Sequence, residues 1–282
     1  MTTPTEAEAP RDAATLVVLR EGRAGPEVLL TVRPQHLRFM GGATVFPGGA
    51  VASADLDPRW ADASALSPER AAAQLGMERR DLALALFVCA LREAFEEVGF
   101  IAGDGPTDRL RPEDAGDPQR FLERCLDFGI VLATDRLVAA GSWVTPLGSP
   151  VRFNARFFLT HGDPRWEPVP DPDEVESCRW VTPALALDDL GEGRALMAPP
   201  TIEMLQRLQA HSTITEMEAA VAGDALTGAG GVVSVRTSPL VHVVLAPNPS
   251  FMTGPGTNTY VVGTGPTVVI TRQSRMRSIW TP

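Results

Sequence analysis

The 282-residue chain lacks lysine altogether: its 25 cationic side chains are all arginine. Together with its wealth of Ala, Gly and Pro, this reads as the bias of a GC-rich genome rather than as a functional signal. Its three cysteines, Cys89, Cys125 and Cys178, have no metal-ligand spacing. The odd, scattered count excludes a disulfide framework and suits a reducing cytosol, with Cys89 a small core residue inside an apolar run. The four histidines, His36, His161, His211 and His242, are isolated, so neither a zinc site nor a Ser-His pair is supported. The longest apolar run, Leu82 to Leu91, is too short to span a bilayer. The opening "MTTPTEAEAP" has no basic start or apolar segment, so it is not read as a secretory signal. A net charge of -10 and a pI near 4.9 argue against a basic nucleic-acid surface, though not against a local basic pocket. These absences lead to the expectation of a cytoplasmic protein with neither membrane nor nucleic-acid partners.

What is present fits an ordinary globular chain, 44% hydrophobic and long enough for one large domain or two modest ones. Residues 1–12 are polar and acidic and read as a disordered tail. "AATLVVLR" and "EVLLTVR" read as a hairpin around the turn "GRAGP", and "GATVFPGGAV" as a further short strand. Ser67, Pro68 and Glu69 carry the signature of a helix start. A long helix follows from about Glu78 to Val98, with Gly99 at its C′ position and Leu84, Phe87, Val88, Leu91, Phe95 and Val98 on its buried side. "DPQRFLERCLDFG" reads as a helix, "AAGSWVTP", "RFNARFFLT" and "EVESCRWVTP" as strands, and "APPTIEMLQRLQA" as a closing helix. This order predicts an α/β domain over 13–210, with helices packed around a mixed sheet. Residues 211–232, poor in aromatics and ending in glycines, read as a linker, and 233–270 as three apolar strands separated by turns.

The long helix ends in "LREAFEEVGF", where Glu93, Glu96 and Glu97 share one helical face. Like charges at that spacing repel. Two readings are open: a solvated face, or a carboxylate cradle for a hard divalent cation, which prefers oxygen ligands.

"REAFEEVGF", preceded by "PGG" at 47–49, resembles the two halves of the Nudix box, and the chain resembles the Nudix hydrolases, which cleave nucleoside diphosphates linked to another moiety. The resemblance implies an α/β/α sandwich and a Mg²⁺ or Mn²⁺ site. In it Glu93, Glu96 and Glu97 ligate metal, Arg92 orients the carboxylates, and Gly48 and Gly49 let the loop turn tightly beside them. The spacing departs from the family's: 42 residues separate Gly49 from Arg92, about 29 more than usual, and an insertion over about 52–80 splits the box, tolerable in a surface loop because closure entropy grows only logarithmically. Counted back from Arg92, the box's first glutamate falls at Leu84; Glu69 or Glu78 is the expected substitute. A similarly split box occurs in the branch containing peroxisomal coenzyme A diphosphatases.

"LLTVRPQHLRFMGGATVFPGG", residues 29–49, resembles the coenzyme A signature of Nudix enzymes, with Pro34 as its mismatch. The resemblance implies that Arg33 and Arg38 hold the 3′-phosphate and diphosphate of CoA by charge-assisted, bidentate bonds. "SWVTPLGSPVRFNARFFLT" resembles the same branch, with Asn154 and Ala155 departing from its pattern, and Trp143, Phe153, Phe157 and Phe158 are read as core. Glu174 falls where Nudix enzymes often keep a further ligand or base. The implied function is hydrolysis of CoA or acyl-CoA to 3′,5′-ADP and (acyl)phosphopantetheine. The alternatives are another diphosphate, such as NADH, ADP-ribose or a nucleotide sugar, and a ligand-sensing module without catalysis. The expected partner is a small CoA-like diphosphate, and a homodimer is compatible with the sequence. Finally, "APNPSFMTGPGTNTYVVGTGPTVVI" resembles the start of metallo-β-lactamase-fold hydrolases, implying a truncated fragment over 233–270 that lacks the zinc ligands, followed by an unrelated tail, 271–282.

Overall fold

The computed structural model describes residues 9–37, 40–145 and 151–222, and four strands between 233 and 271. Strand β1 (Arg11–Gly22) and β2 (Gly25–Val32) form the expected hairpin, followed by the short strands β3 (Ala43–Val45) and β4 (Gly48–Ala50). Helices α1 (Pro68–Leu75) and α2 (Arg80–Val98) come next, then β5 (Gly103–Asp104), α3 (Pro112–Ala115), α4 (Pro118–Phe128) and β6 (Val131–Leu132). The chain returns to the main sheet through β7 (Val138–Val144), β8 (Phe153–His161) and β9 (Ser177–Val181). It then adds α5 (Pro183–Gly191), β10 (Leu196–Met197), α6 (Pro199–Leu208) and α7 (Ile214–Val221).

The main sheet is mixed, running β10-β3-β2-β1-β8-β7, with β1 and β8 parallel and β1 and β2 antiparallel. Side chains alternate across it, as the two-residue period of a strand requires. On β1, Ala14, Leu16 and Val18 join the core beneath α2, while Val17 and Leu19 join a second core with residues of α6 and α7. Helices thus cover both faces, the arrangement expected of an α/β/α sandwich.

The register of β1 explains where the site opens. Its far half, Leu19 to Gly22, pairs with β2; its near half, Ala13 to Thr15, pairs instead with β4. The hairpin therefore splays, and β4 fills the vacated edge, setting Gly48 and Gly49 beneath the end of α2. Gly48 has φ +153° and a Cβ there would strike the Ala14 carbonyl, so glycine is required.

Five points of the expected organisation change. Residues 1–8 of the expected tail lie outside the described residues, and Arg11 and Asp12, expected within it, belong to β1. The insertion is a packed layer rather than a surface loop. Trp60 is fully buried, its indole N–H donates to the Ala54 carbonyl at 3.0 Å, and its ring lies 5.8 Å from that of Phe121. The Ala65 N–H donates to Leu132 O, tying the insertion to the excursion between α2 and β7. The stretch after β9 contains α5, begun by the Thr182 cap and Pro183. The linker does not start at 211: Thr213 and Glu216 form a capping box that starts α7, and Ile214, Met217 and Val221 are buried. Part of the linker, 223–232, and the tail from 272 lie outside the described residues. Between them β11 (Val233–Ser238), β12 (Val241–Ala246), β13 (Thr257–Val262) and β14 (Val268–Thr271) form an antiparallel sheet in chain order, one strand more than expected. Among the described residues no helix is long and apolar enough to cross a membrane.

Candidate active site

The apolar run of α2 is buried on nearly every side because the sheet, α1 and α3 surround it. Its last two turns carry Glu93, Glu96 and Glu97, where the helix dipole disfavours negative charge, and no basic residue lies in the final turn. Gly99, at φ +72°, ends the helix.

Arg92 is the hub. Its side chain is 3% exposed and reaches Asp55 Oδ1 through Nε at 2.9 Å and Asp55 Oδ2 through Nη2 at 3.0 Å. It also donates to Glu93 at 2.8 Å, to Glu96 at 3.3 Å and to the Ala50 carbonyl at 3.4 Å. Burial opposes its charge, but Asp55 and Glu93 outweigh that and hold it protonated. Asp55 in turn accepts the Ala52 N–H at 2.8 Å. Loop and helix are therefore fastened through one buried ion pair. A Cβ on Gly49 would collide with the Glu93 carboxylate. The Gly48 N–H donates to Glu97 Oε2 at 3.2 Å, and the Cys89 thiol lies 3.7 Å from the Gly49 carbonyl.

A second chain segment closes over the helix end. The Val169 N–H donates to Val98 O at 3.0 Å, and the Asp171 N–H to Glu97 O at 2.9 Å, using carbonyls left unpaired at a helix C-terminus. Trp166 anchors this strap, packed edge-on against Phe100 and Trp180. It delivers Glu174 and Asp171 to the glutamates. Burial, then repulsion from Glu174 and Glu93, pushes the Glu96 carboxyl up to about 7. Glu97 is raised well above the carboxylate range by burial and by Glu93 and Glu174, although Gly48 and Arg33 pull it down. Burial also raises Glu93, against the pull of Arg92, and raises Glu174, with Asp171 adding to it.

These groups fit a hard divalent cation by their chemistry: the donors are all oxygens, and their mutual repulsion is what such an ion relieves. Among the described residues no three acidic, His or Cys side chains form a ready-made cage. Arg92 draws on Glu93 and Glu96, so these carboxylates must turn inward to share an ion.

The raised acids set a pH dependence. Glu96 binds its proton more tightly folded, at about 7, than at its ordinary 4.5. Its contribution to stability is therefore complete below the lower value and lost as pH rises through the upper one. Pairing depresses Asp57, Asp81 and Asp189, which act oppositely but have finished titrating by about pH 5. Without divalent cation, the melting temperature should fall between about pH 5.5 and pH 8. Added Mg²⁺ or Mn²⁺ should raise it more at the higher pH, and calorimetry in two buffers should show proton release on binding.

The sequence reading brought most of this together: Arg92, Glu93, Glu96, Glu97, Gly48 and Gly49 meet, with Glu174 and Arg33 beside them. Arg38 lies outside the described residues. The partner of Arg92 is not one of the expected substitutes. Glu69 is exposed and pairs with Arg80, Glu78 is exposed, and Leu84 is buried in the core. Asp55 takes that place. Counted forward from Gly49, rather than back from Arg92, the position was legible, because the insertion lies after Asp55. Asp171 was also missed, and only the strap's course reveals it. Asn154 donates to Asp12 at 2.9 Å, on the far side of β1 from β4. Phe157 and Phe158 are core, the Phe158 ring tilted against that of Phe87 at 4.5 Å; Trp143 and Phe153 are half-buried. His36 is exposed.

Residues 79–208 match the NUDT19 Nudix domain family. The chain is 26% identical over 245 residues to the acyl-coenzyme A diphosphatase NUDT19 of Xenopus laevis, covering 72% of this chain and 64% of that protein. It is 25% identical over 249 residues to the human protein of that name, covering 72% and 66%. It thus spans about two thirds of the length of these relatives. A Nudix hydrolase crystal structure from Alicyclobacillus acidocaldarius is similar with a TM-score of 0.63 at 28% identity, over 76% of this chain and 97% of that one. These matches give no support to a fused metallo-β-lactamase fragment. With its mixed sheet between helical layers and its glutamate helix over a Gly-Gly turn, the chain is similar in fold to a Nudix hydrolase, and its residues 79–208 match a Nudix domain of the NUDT19 type.

Proposed function

We propose that the chain is a divalent-cation-dependent hydrolase of diphosphate bonds, acting on coenzyme A or acyl-CoA. The observation that carries this reading is the convergence of Glu93, Glu96, Glu97 and Glu174 at one helix end, with Arg33 beside them. Glu93, Glu96 and Glu97 would hold Mg²⁺ or Mn²⁺, which when bound would polarise the phosphate oxygens and acidify a water. Arg92, fixed by Asp55, orients Glu93, and the Gly48 N–H fixes Glu97. Water forms a new P–O bond at one phosphorus, the bridging P–O bond breaks, and a cradle carboxylate accepts the water proton. From CoA the products are 3′,5′-ADP and phosphopantetheine. The choice of CoA rests on the signature spanning Leu29 to Gly49 and on the names of the NUDT19 relatives.

A substrate panel with Mg²⁺ or Mn²⁺ tests it. CoA and acyl-CoA should be turned over with kcat/KM at least ~10-fold above NADH, ADP-ribose and nucleotide sugars. A preference for one of those reassigns the substrate, and inactivity on all of them favours a ligand-sensing module. The absence of a disulfide among Cys89, Cys125 and Cys178 fits the reducing cytoplasm as its location. Residues 233–270 are read as a lactamase-like fragment only on the sequence resemblance, which does not extend to that fold's zinc ligands.

A further inference from the structure

We propose that Gly116 is a positioning residue for Glu96: its missing side chain leaves the space that this carboxylate occupies in serving the cation cradle. This deepens the function proposed above and rests on it only for the presence of a divalent cation. Gly116 lies between α3 and α4, outside both halves of the split box and outside the insertion that divides them. A Cβ on it would stand 3.1 Å from Glu96 Oε1 and 3.9 Å from Glu96 Cδ. The Glu113 carbonyl oxygen, at 3.8 Å, would be in ordinary contact. The tight neighbour is therefore Glu96.

The backbone does not ask for glycine here. At φ −64° and ψ −19°, Gly116 has an ordinary right-handed conformation that any L-residue adopts. Glycine at such a position only adds freedom to the unfolded chain, which weakens the fold. What it supplies is room, and Glu96 fills that room. The turn itself is pinned on both sides. Ala115 is fully buried in the core beneath α2, and the Asp114 carboxylate accepts the Arg111 N–H at 3.0 Å. Asp117 caps α4, accepting the Gln119 and Arg120 N–H groups at 3.1 Å and 3.2 Å. A side chain at 116 would therefore move Glu96 rather than the wall. Glu96 Oε2 accepts from Arg92 Nη1 at 3.3 Å, and the two carboxylate oxygens move as one rigid plane. Pressure on Oε1 thus also turns Oε2 away from Arg92. Gly116 does for Glu96 what Gly49 does for Glu93, from a segment that the box does not contain.

The test compares the full chain as wild type, Gly116→Ala, Glu96→Asp and the double variant, by equilibrium titration with Mn²⁺ and by melting temperature without cation. Gly116→Ala should bind Mn²⁺ about 10-fold more weakly than wild type. Its melting temperature should stay at or above that of wild type, since the backbone there accepts alanine. The Glu96→Asp side chain ends one methylene short of the gap, so in that background the same alanine should change affinity by less than about threefold. With CoA as substrate, the Mn²⁺ concentration for half-maximal turnover should rise in step in Gly116→Ala, while KM for CoA stays within about twofold of wild type. No Mn²⁺ binding by the wild type, undiminished affinity in Gly116→Ala, or an equal loss in both backgrounds would overturn the proposal. So would a melting temperature that falls alike in both backgrounds, because the methyl would then strike the fold rather than Glu96. If no CoA is hydrolysed yet the binding difference holds, Gly116 still positions Glu96 and only the substrate assignment fails.

Discussion

Glu97→Gln should lower diphosphate hydrolysis by about 10³-fold while leaving the protein as stable as wild type or more so. Glu97 is 8% exposed, beside Glu93 and Glu174, and its only direct hydrogen bond described is from Gly48. A glutamine amide oxygen can still accept that N–H, so the turn keeps its anchor. What disappears is a negative charge that burial and like-charged neighbours disfavour in the fold. A purely structural glutamate would behave differently, since its loss would weaken folding. Hydrolysis rates and a denaturant curve on one preparation decide between these. Catalysis lost with stability kept marks a group retained for chemistry, whereas near-wild-type turnover would remove Glu97 from the machinery.

Asp55→Ala should have the largest effect on stability. It leaves the Arg92 guanidinium buried without its main partner, and breaking a buried pair in this way costs about 3–5 kcal/mol. For a domain of this size the melting temperature should drop by roughly 10 °C. Turnover should fall as well, because Arg92 positions Glu93 only while Asp55 positions Arg92. The double variant Asp55→Leu, Arg92→Met separates the two effects: with both charges gone, much of the stability should return while hydrolysis stays low. Recovery of both would make the pair a mere fastener. Destabilisation below about 1 kcal/mol in Asp55→Ala would show that Arg92 is held chiefly by Glu93 and Glu96.

Much of this design was legible in the sequence because strong local signals agreed with tertiary structure. The apolar alternation of β1 and β2, the unbroken run in α2 and the capping residues at Ser67 and Asp117 all specify elements that packing then retains. The glutamate face was legible too, since helix geometry alone brings Glu93, Glu96 and Glu97 together. The Arg92 partner was obscured because the insertion breaks the spacing between two segments that remain adjacent in space. Asp55, which precedes the insertion, stays beside Arg92 while residues 57–79 loop out, Trp60 packing against Phe121 of α4 and α1 against α2. The strap escaped for another reason: its attachment to α2 runs through backbone groups of Val169 and Asp171, which leave no side-chain pattern. Helix α7 was hidden by small residues, although Thr213 and Glu216 carried its capping signal.

The most direct measurement is identification of the products formed from CoA by the full chain, with saturating Mg²⁺ or Mn²⁺ and again with the cation chelated. The expected result is 3′,5′-ADP and 4′-phosphopantetheine in equal amounts when the cation is present, neither when it is removed, and recovery on its return. Cleavage that persists without divalent cation, or that occurs at any bond other than the diphosphate bridge, would contradict the role given to the glutamate cradle.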